Sequence, residues 1–278
     1  MTRTTCFRMV CLLIASLSVG SSTRGADATL LDVVESTGGY LSQGKMIRVE
    51  RFEPRMEGKH PAVLILHGSA GMAVGGPVFR ETGRKLAARG FVAHLVHYFD
   101  ASGTRRADRP TMLDKFPNWI QTVADGLSYV TKQPNVDPQR LGLMGFSLGG
   151  YLSLSLAMYD PRVTAVVDYF GGLPSVIAKD LKGFPPTLII HGAADPVVPV
   201  AEARSLESLL KSKNVTYEMK IYPGQGHGLV GHDADDAAER TVSFLHKHLM
   251  NGNGTVRHEV ARPRFDRVEA LRAGAAGP

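Results

Sequence analysis

Short apolar runs rich in branched residues alternate with helical stretches through most of the chain, and this alternation limits the fold more than any other feature. Ala62–His67 (AVLILH) is nearly continuous in apolar residues, the pattern of a strand buried on both faces. Similar runs stand at Phe91–Tyr98, Arg140–Phe146, Val163–Phe170 and Thr187–His191, and Val215–Tyr222 alternates with period two. Helical segments are expected at Val78–Arg89, Trp119–Lys132, Leu148–Tyr159, Ala201–Lys211 and Ala234–Met250. Met46–Phe52 reads as an antiparallel edge strand paired with Leu31–Val34. Repeated strand–helix units of this size predict an α/β fold: a mostly parallel central sheet with helices on both faces. The body, residues 27–250, shows no repeat and no dividing linker.

Of the chain's net charge of +6, Arg3, Arg8 and Arg24 give the first 26 residues +3, and five arginines against three acids give residues 251–278 +2. The body is left at +1, which offers no electrostatic footprint for nucleic acid. The start has the pattern of an export signal. Arg3 and Arg8 precede an apolar stretch, Met9 to Gly20, and small residues follow, with cleavage expected after Gly20, Ala26 or Ala28. This stretch of twelve residues, interrupted by Ser16 and Ser18, falls short of the roughly 20 needed to span a bilayer, so no stable membrane anchor is expected. Both cysteines, Cys6 and Cys11, lie in this leader, so an exported chain would carry no thiol. Residues 251–278 read as a loosely held basic tail, and the oligomeric state stays open.

The chemistry gathers at the ends of the expected strands. Gly145-Phe146-Ser147-Leu148-Gly149-Gly150 follows a strand and opens a helix, the setting in which G-x-S-x-G presents a nucleophilic serine. The N–H of Leu148 then faces the reacting carbonyl from a helix N-terminus. Asp195 follows the Thr187–His191 strand, and His227, flanked by glycines, follows Val215–Tyr222. The order Ser147, Asp195, His227, with separations of 48 and 32 residues, is the nucleophile–acid–base order of α/β-hydrolases. Asp168, near the end of its strand, competes for the acid's place; Asp195 is favoured because it lies beyond its strand, free to reach the His227 loop. The turn His67-Gly68-Ser69-Ala70-Gly71 follows the Ala62–His67 strand and offers a second oxyanion donor, the N–H of Ser69 or, second, of Ala70. Tyr98, Met72 and Arg105 are expected to touch substrate, Arg105 from a polar loop over Phe99–Asn118 long enough to form a lid. His232, Asp233, Asp235 and Asp236 read as helix-start residues rather than as a metal site.

The motifs HGSAG, GFSLGG, HGAADPVVP and YPGQGHG, in this order across about residues 60–250, resemble the dienelactone hydrolase family of the α/β-hydrolase superfamily. The resemblance implies the α/β-hydrolase fold, activity without metal or organic cofactor, and small-molecule ester or lactone substrates. The family's namesake enzymes use a cysteine nucleophile where this chain has Ser147, which favours serine esterase chemistry. The rivals are a peptidase or amidase with the same three residues, and a non-catalytic binding protein on this scaffold.

Overall fold

The computed structural model describes residues 30–174 and 184–250. The leader read in residues 1–26 and the tail at 251–278 lie outside the described residues. Within them, eight strands form one sheet: β1 (Val33–Ser42), β2 (Lys45–Pro54), β3 (His60–Leu66), β4 (Val92–Val96), β5 (Val136–Phe146), β6 (Val163–Tyr169), β7 (Thr187–Gly192) and β8 (Tyr217–Tyr222). Their spatial order is β1-β2-β4-β3-β5-β6-β7-β8. β1 and β2 are antiparallel to each other, β2 is antiparallel to β4, and the strands from β4 to β8 are parallel. The expected fold class is therefore the observed one.

Helices α1 (Gly71–Ala87), α2 (Arg109–Val130), α3 (Leu148–Ala157), α4 (Val200–Ser212) and α5 (His232–Leu245) connect or follow the parallel strands. Side chains alternate across a strand, so each sheet face has its own core. In β3, Ala62, Leu64 and Leu66 pack on the side of α2, α3 and α4, while Val63 and Ile65 pack on the side of α1 and α5. On that second face α1 lies over β2 and β4, and α5 lies against β7. Between these two helices, the turn His246–Met250 packs on the central strands β5 and β6.

Three elements depart from the expected boundaries. The edge hairpin is longer than Leu31–Val34 and Met46–Phe52 suggested: ten residues of each strand pair, around a turn in which Gln43 and Gly44 both have positive φ. Five of β1's ten residues are exposed, so its apolar signal is weak. α1 begins at Gly71, not Val78, and carries Pro77 inside it. α2 begins at Arg109, not Trp119, because Asp108 caps it by accepting the Thr111 N–H at 3.0 Å; it carries Pro117 inside it. The second half of the expected Phe99–Asn118 lid, from Arg109 on, is therefore helix.

Candidate active site

The C-terminal edge of the parallel sheet carries the loops where ligands bind in open α/β folds. Ser147 sits between β5 and α3 with φ +54° and ψ −116°, a conformation that costs a non-glycine residue about 1–3 kcal/mol and persists only where the surroundings impose it. They do so here. The Ser147 N–H donates to Tyr169 O on β6 at 2.7 Å, and its carbonyl accepts from Gly150 N at 2.8 Å. A Cβ on Gly145 would run into the Gly149 carbonyl, one on Gly149 into the Leu66 carbonyl, and one on Gly150 into the Asp168 carboxylate. The glycines of the motif thus let β5 and α3 cross at contact distance and lift Ser147 above the sheet.

His227 Nδ1 lies 2.7 Å from Asp195 Oδ2, and His227 Nε2 lies 2.9 Å from Ser147 Oγ. Oδ2 of an ionised carboxylate only accepts, so Nδ1 carries the proton and the neutral ring's Nε2 accepts from the serine hydroxyl. Asp195 Oδ1 accepts from the N–H groups of Val197 at 2.8 Å and Val198 at 2.9 Å. Burial would raise this carboxyl, but the bonds from His227, Val198 and Val197 outweigh it and hold it below the usual carboxylate range. Pro196 has no N–H to offer the carboxylate; the two residues after it supply the donors, which fix one oxygen and leave the other to His227.

The His227 loop is tied to the end of β7. Ala194 N–H donates to Gln225 O at 2.9 Å, and Gln225 Nε2 donates to Asp233 Oδ2 at 2.7 Å. A Cβ on Gly192 would strike the Gly226 carbonyl. Behind the imidazole stands Phe170, its ring 5.6 Å from that of His227 and its φ at +58°. Gly192, Gln225 and Phe170 position the base. None was visible as such in the sequence, although the Tyr169-Phe170-Gly171-Gly172 break after a strand was the available signal.

The Gly68–Gly71 turn lies against the serine: a Cβ on Gly68 would come 3.4 Å from Ser147 Cβ. Its Gly71 N–H is committed to Gly68 O at 3.0 Å, and Ser69 O accepts from Ala107 N at 2.8 Å. The N–H of Leu148 belongs to the first turn of α3, where no intrahelical acceptor exists. His67 braces this turn, donating from Nδ1 to Gly68 O at 2.9 Å and stacking on Tyr98 with ring centroids 4.2 Å apart. Burial pushes the His67 imidazole down to about 4, so it is neutral there.

Ser147 and His227 stand at one end of an elongated cavity of about 1220 Å³ on the α1–α5 face. The three expected substrate contacts lie off it. Tyr98 is fully buried in the core on the α2 side, its hydroxyl donating to His67 O at 2.7 Å. Met72 is half-buried against the α1-side core. Arg105 is exposed on the loop beside Gly71, where its carbonyl, not its guanidinium, meets the turn. Among the acids in the first turns of α5, Asp236 accepts from Tyr222 and Arg240, both at 2.7 Å, and Asp233 accepts from Gln225, so they serve the helix and its loop.

A mostly parallel sheet, a serine on a tight strand–helix turn, an acid on the loop after β7 and a histidine on the loop after β8 define the α/β-hydrolase class. The dienelactone hydrolase family model matches residues 47–249. The chain belongs to the dienelactone hydrolase family. It is 24% identical over 241 residues to the carboxymethylenebutenolidase homolog of Xenopus tropicalis, a match covering 76% of this chain and 93% of that one. Among solved structures, the dienelactone hydrolase-like promiscuous phosphotriesterase from metagenomic libraries has a TM-score of 0.67 at 18% identity, covering 78% of this chain and 98% of that one. The dienelactone hydrolase of Anabaena variabilis has a TM-score of 0.61 at 19% identity, covering 78% and 99%. At these identities the structural likeness speaks for the fold.

Proposed function

We propose that this hydrolase cleaves carboxylic esters or lactones through an acyl-enzyme on Ser147. The observation that carries the reading is the unbroken path Ser147 Oγ, His227 Nε2, His227 Nδ1, Asp195 Oδ2, with steps of 2.9 Å and 2.7 Å. Ser147 Oγ attacks the ester carbonyl as its proton passes to His227 Nε2. Asp195 holds the tautomer and stabilises the imidazolium, and the N–H groups of Leu148 and Ser69 receive the oxyanion. Collapse of the tetrahedral intermediate expels the alcohol, which takes the proton from Nε2. Water, deprotonated by His227, then releases the acid and restores Ser147. Esters are preferred over amides because every polar role is met by the sheet-edge loops, and among the described residues no further site is reserved for a peptide chain. A panel of p-nitrophenyl esters, lactones and matched anilides should show turnover of the first two with the anilides at least about a hundredfold slower, that is, roughly 3 kcal/mol higher in barrier. Anilide turnover equal to that of esters would move the reading to an amidase.

The reaction is proposed to take place outside the cytoplasm, on the strength of the Arg3–Gly20 pattern. N-terminal sequencing of native protein should begin between Ser21 and Thr29, and thiol reagents should leave its activity intact. A native start at Met1 or Thr2 would refute export.

A further inference from the structure

The cavity that begins at Ser147 and His227 continues as a groove over the middle of the sheet. Its floor is Phe146 and Met144 on β5 and Tyr169 on β6. Parallel strands are ordinarily covered on both faces by helices; here the His246–Met250 turn packs on part of β5 and β6, α1 lies over β2 and β4, and α5 lies against β7, with the groove between the two helices. The two walls are matched. α1 presents Val74, Pro77 and Val78, spaced i, i+3, i+4, with Val74 71% and Val78 60% exposed. α5 presents Ala234, Ala238 and Val242, spaced i, i+4, i+8. At i, i+3 and i+4 such residues form one stripe on a helix, so two apolar stripes flank one apolar floor. At a rise of 1.5 Å per residue, the α1 wall from Gly71 to Lys85 runs about 20 Å. The far end meets charge, where Arg89 Nη2 and Glu239 Oε1 pair at 3.0 Å between the end of α1 and α5. Scattered exposed apolar side chains need no explanation, but an aligned pair of stripes opening onto a serine does.

We infer that this groove is an acyl-chain subsite, and that the substrates are esters of long, unbranched, apolar carboxylic acids. The inference rests on the reading of Ser147 as nucleophile and narrows its substrate class. The chain is assigned to the acyl side because the Gly68–Ser69 turn, which faces the reacting carbonyl, runs directly into α1, one wall of the groove. The acyl part is also the part that stays bonded to Ser147 until water releases it. A methylene moved from water to an apolar wall strengthens binding by at most about fourfold.

The test uses the full chain and p-nitrophenyl acetate, butyrate, octanoate and laurate, each below its micellar concentration. kcat/KM for laurate should exceed that for butyrate at least tenfold. Val78→Glu, on an exposed helix position, should lower the laurate-to-butyrate ratio at least tenfold, while Leu41→Glu, exposed on the remote strand β1, should keep the wild-type ratio. A flat or falling profile with acetate still turned over would overturn the subsite alone. The groove would then have another occupant, such as residues 251–278, which follow Met250 beside Gly90 near the groove's far end. Failure to turn over any ester would instead strike the Ser147 reading. Calorimetry with lauric acid decides the groove in that case: binding that Val78→Glu weakens at least tenfold supports it, and no binding overturns it.

Discussion

Replacing Ser147 by alanine is expected to lower kcat by about 10⁶, the scale of losing a serine nucleophile from a unit that works only when whole. The size follows from the geometry. His227 Nε2 has Ser147 Oγ at 2.9 Å, and alanine leaves the base without a proton to take. The fold should survive, because the elbow is held by backbone groups: Ser147 N on Tyr169 O, and Gly150 N on Ser147 O. Alanine bears the same left-handed strain that serine bears. The check is a pair of measurements on correctly folded protein, hydrolysis of a p-nitrophenyl ester and the site of a fluorophosphonate adduct by mass spectrometry. The adduct should fall on Ser147 and vanish in the variant. An adduct on Ser69 or Ser153 would remove Ser147 from the mechanism. Ser153 is a poor candidate, being buried with its hydroxyl given to Gly149 O at 2.8 Å.

Much of this molecule was legible because its constraints are local. The parallel strands are buried on both faces, so their runs are apolar without interruption, as in Ala62–Leu66 and Leu188–Ile190, all nearly inaccessible. Two helix starts were expected too late, at Val78 and Trp119. A proline stands just before each, Pro77 and Pro117, yet each lies inside a helix whose neighbouring turns are held by packing: Phe79 against Phe146 at 5.0 Å, and Trp119 against Phe99 at 4.6 Å. Tertiary contacts outweighed the local cost of a missing N–H. β1 was understated because a half-exposed edge strand carries few apolar residues.

The site divides in the same way. Ser147, Asp195 and His227 lie on short loops after strands, so sequence order implied their meeting at one sheet edge. Tyr98, Met72 and Arg105 were chosen because they follow a strand or a turn, and that says nothing about which sheet face a side chain joins. Tyr98 turned to the α2 side, opposite the cavity. The groove itself depends on the spacing between α1 and α5, two helices more than a hundred residues apart in sequence, and no local pattern encodes that distance. The aligned stripes Val74-Pro77-Val78 and Ala234-Ala238-Val242 were readable one by one, but each alone is only the ordinary face of an amphipathic helix.

The two rival acids, Asp195 and Asp168, separate most sharply by substitution. Asp195→Asn is expected to cut kcat by about 10⁴. The asparagine oxygen can still accept from Val197 and Val198 N–H, so the loop should hold. Its amide would then face His227 Nδ1 as a donor. The ring would have to accept there and carry its proton on Nε2, where it cannot take the proton of Ser147. Asp168→Asn should cost activity at most about tenfold, roughly 1.4 kcal/mol, because that side chain touches neither Ser147 nor His227. It lies under the elbow, wedged against Gly150 and Gly171, wholly buried and with neither oxygen hydrogen-bonded in good geometry. Burial pushes its carboxyl up to about 8, a rise the Gly171 amide only partly opposes. The sign of the consequence is fixed. An unfolded aspartate ionises near 3.9, so between about pH 4 and about pH 8 the folded chain holds a proton that unfolding releases. Asp168 therefore makes stability fall as pH rises through that window and level off above it. Asp195, held below the usual range, contributes stability that is present throughout the window and lost only in stronger acid. Buried His67 and His94, pushed down to about 4 and about 3, act in the opposite sense below about pH 6.5 in every variant, so Asp168 is read by difference: the urea unfolding midpoint of Asp168→Asn minus that of the wild type should grow from about pH 5 to about pH 8, while the same difference for Asp195→Asn should stay level. Should Asp168→Asn abolish turnover in folded protein while Asp195→Asn spares it, the acid that orients His227 would have to be reassigned to Asp168.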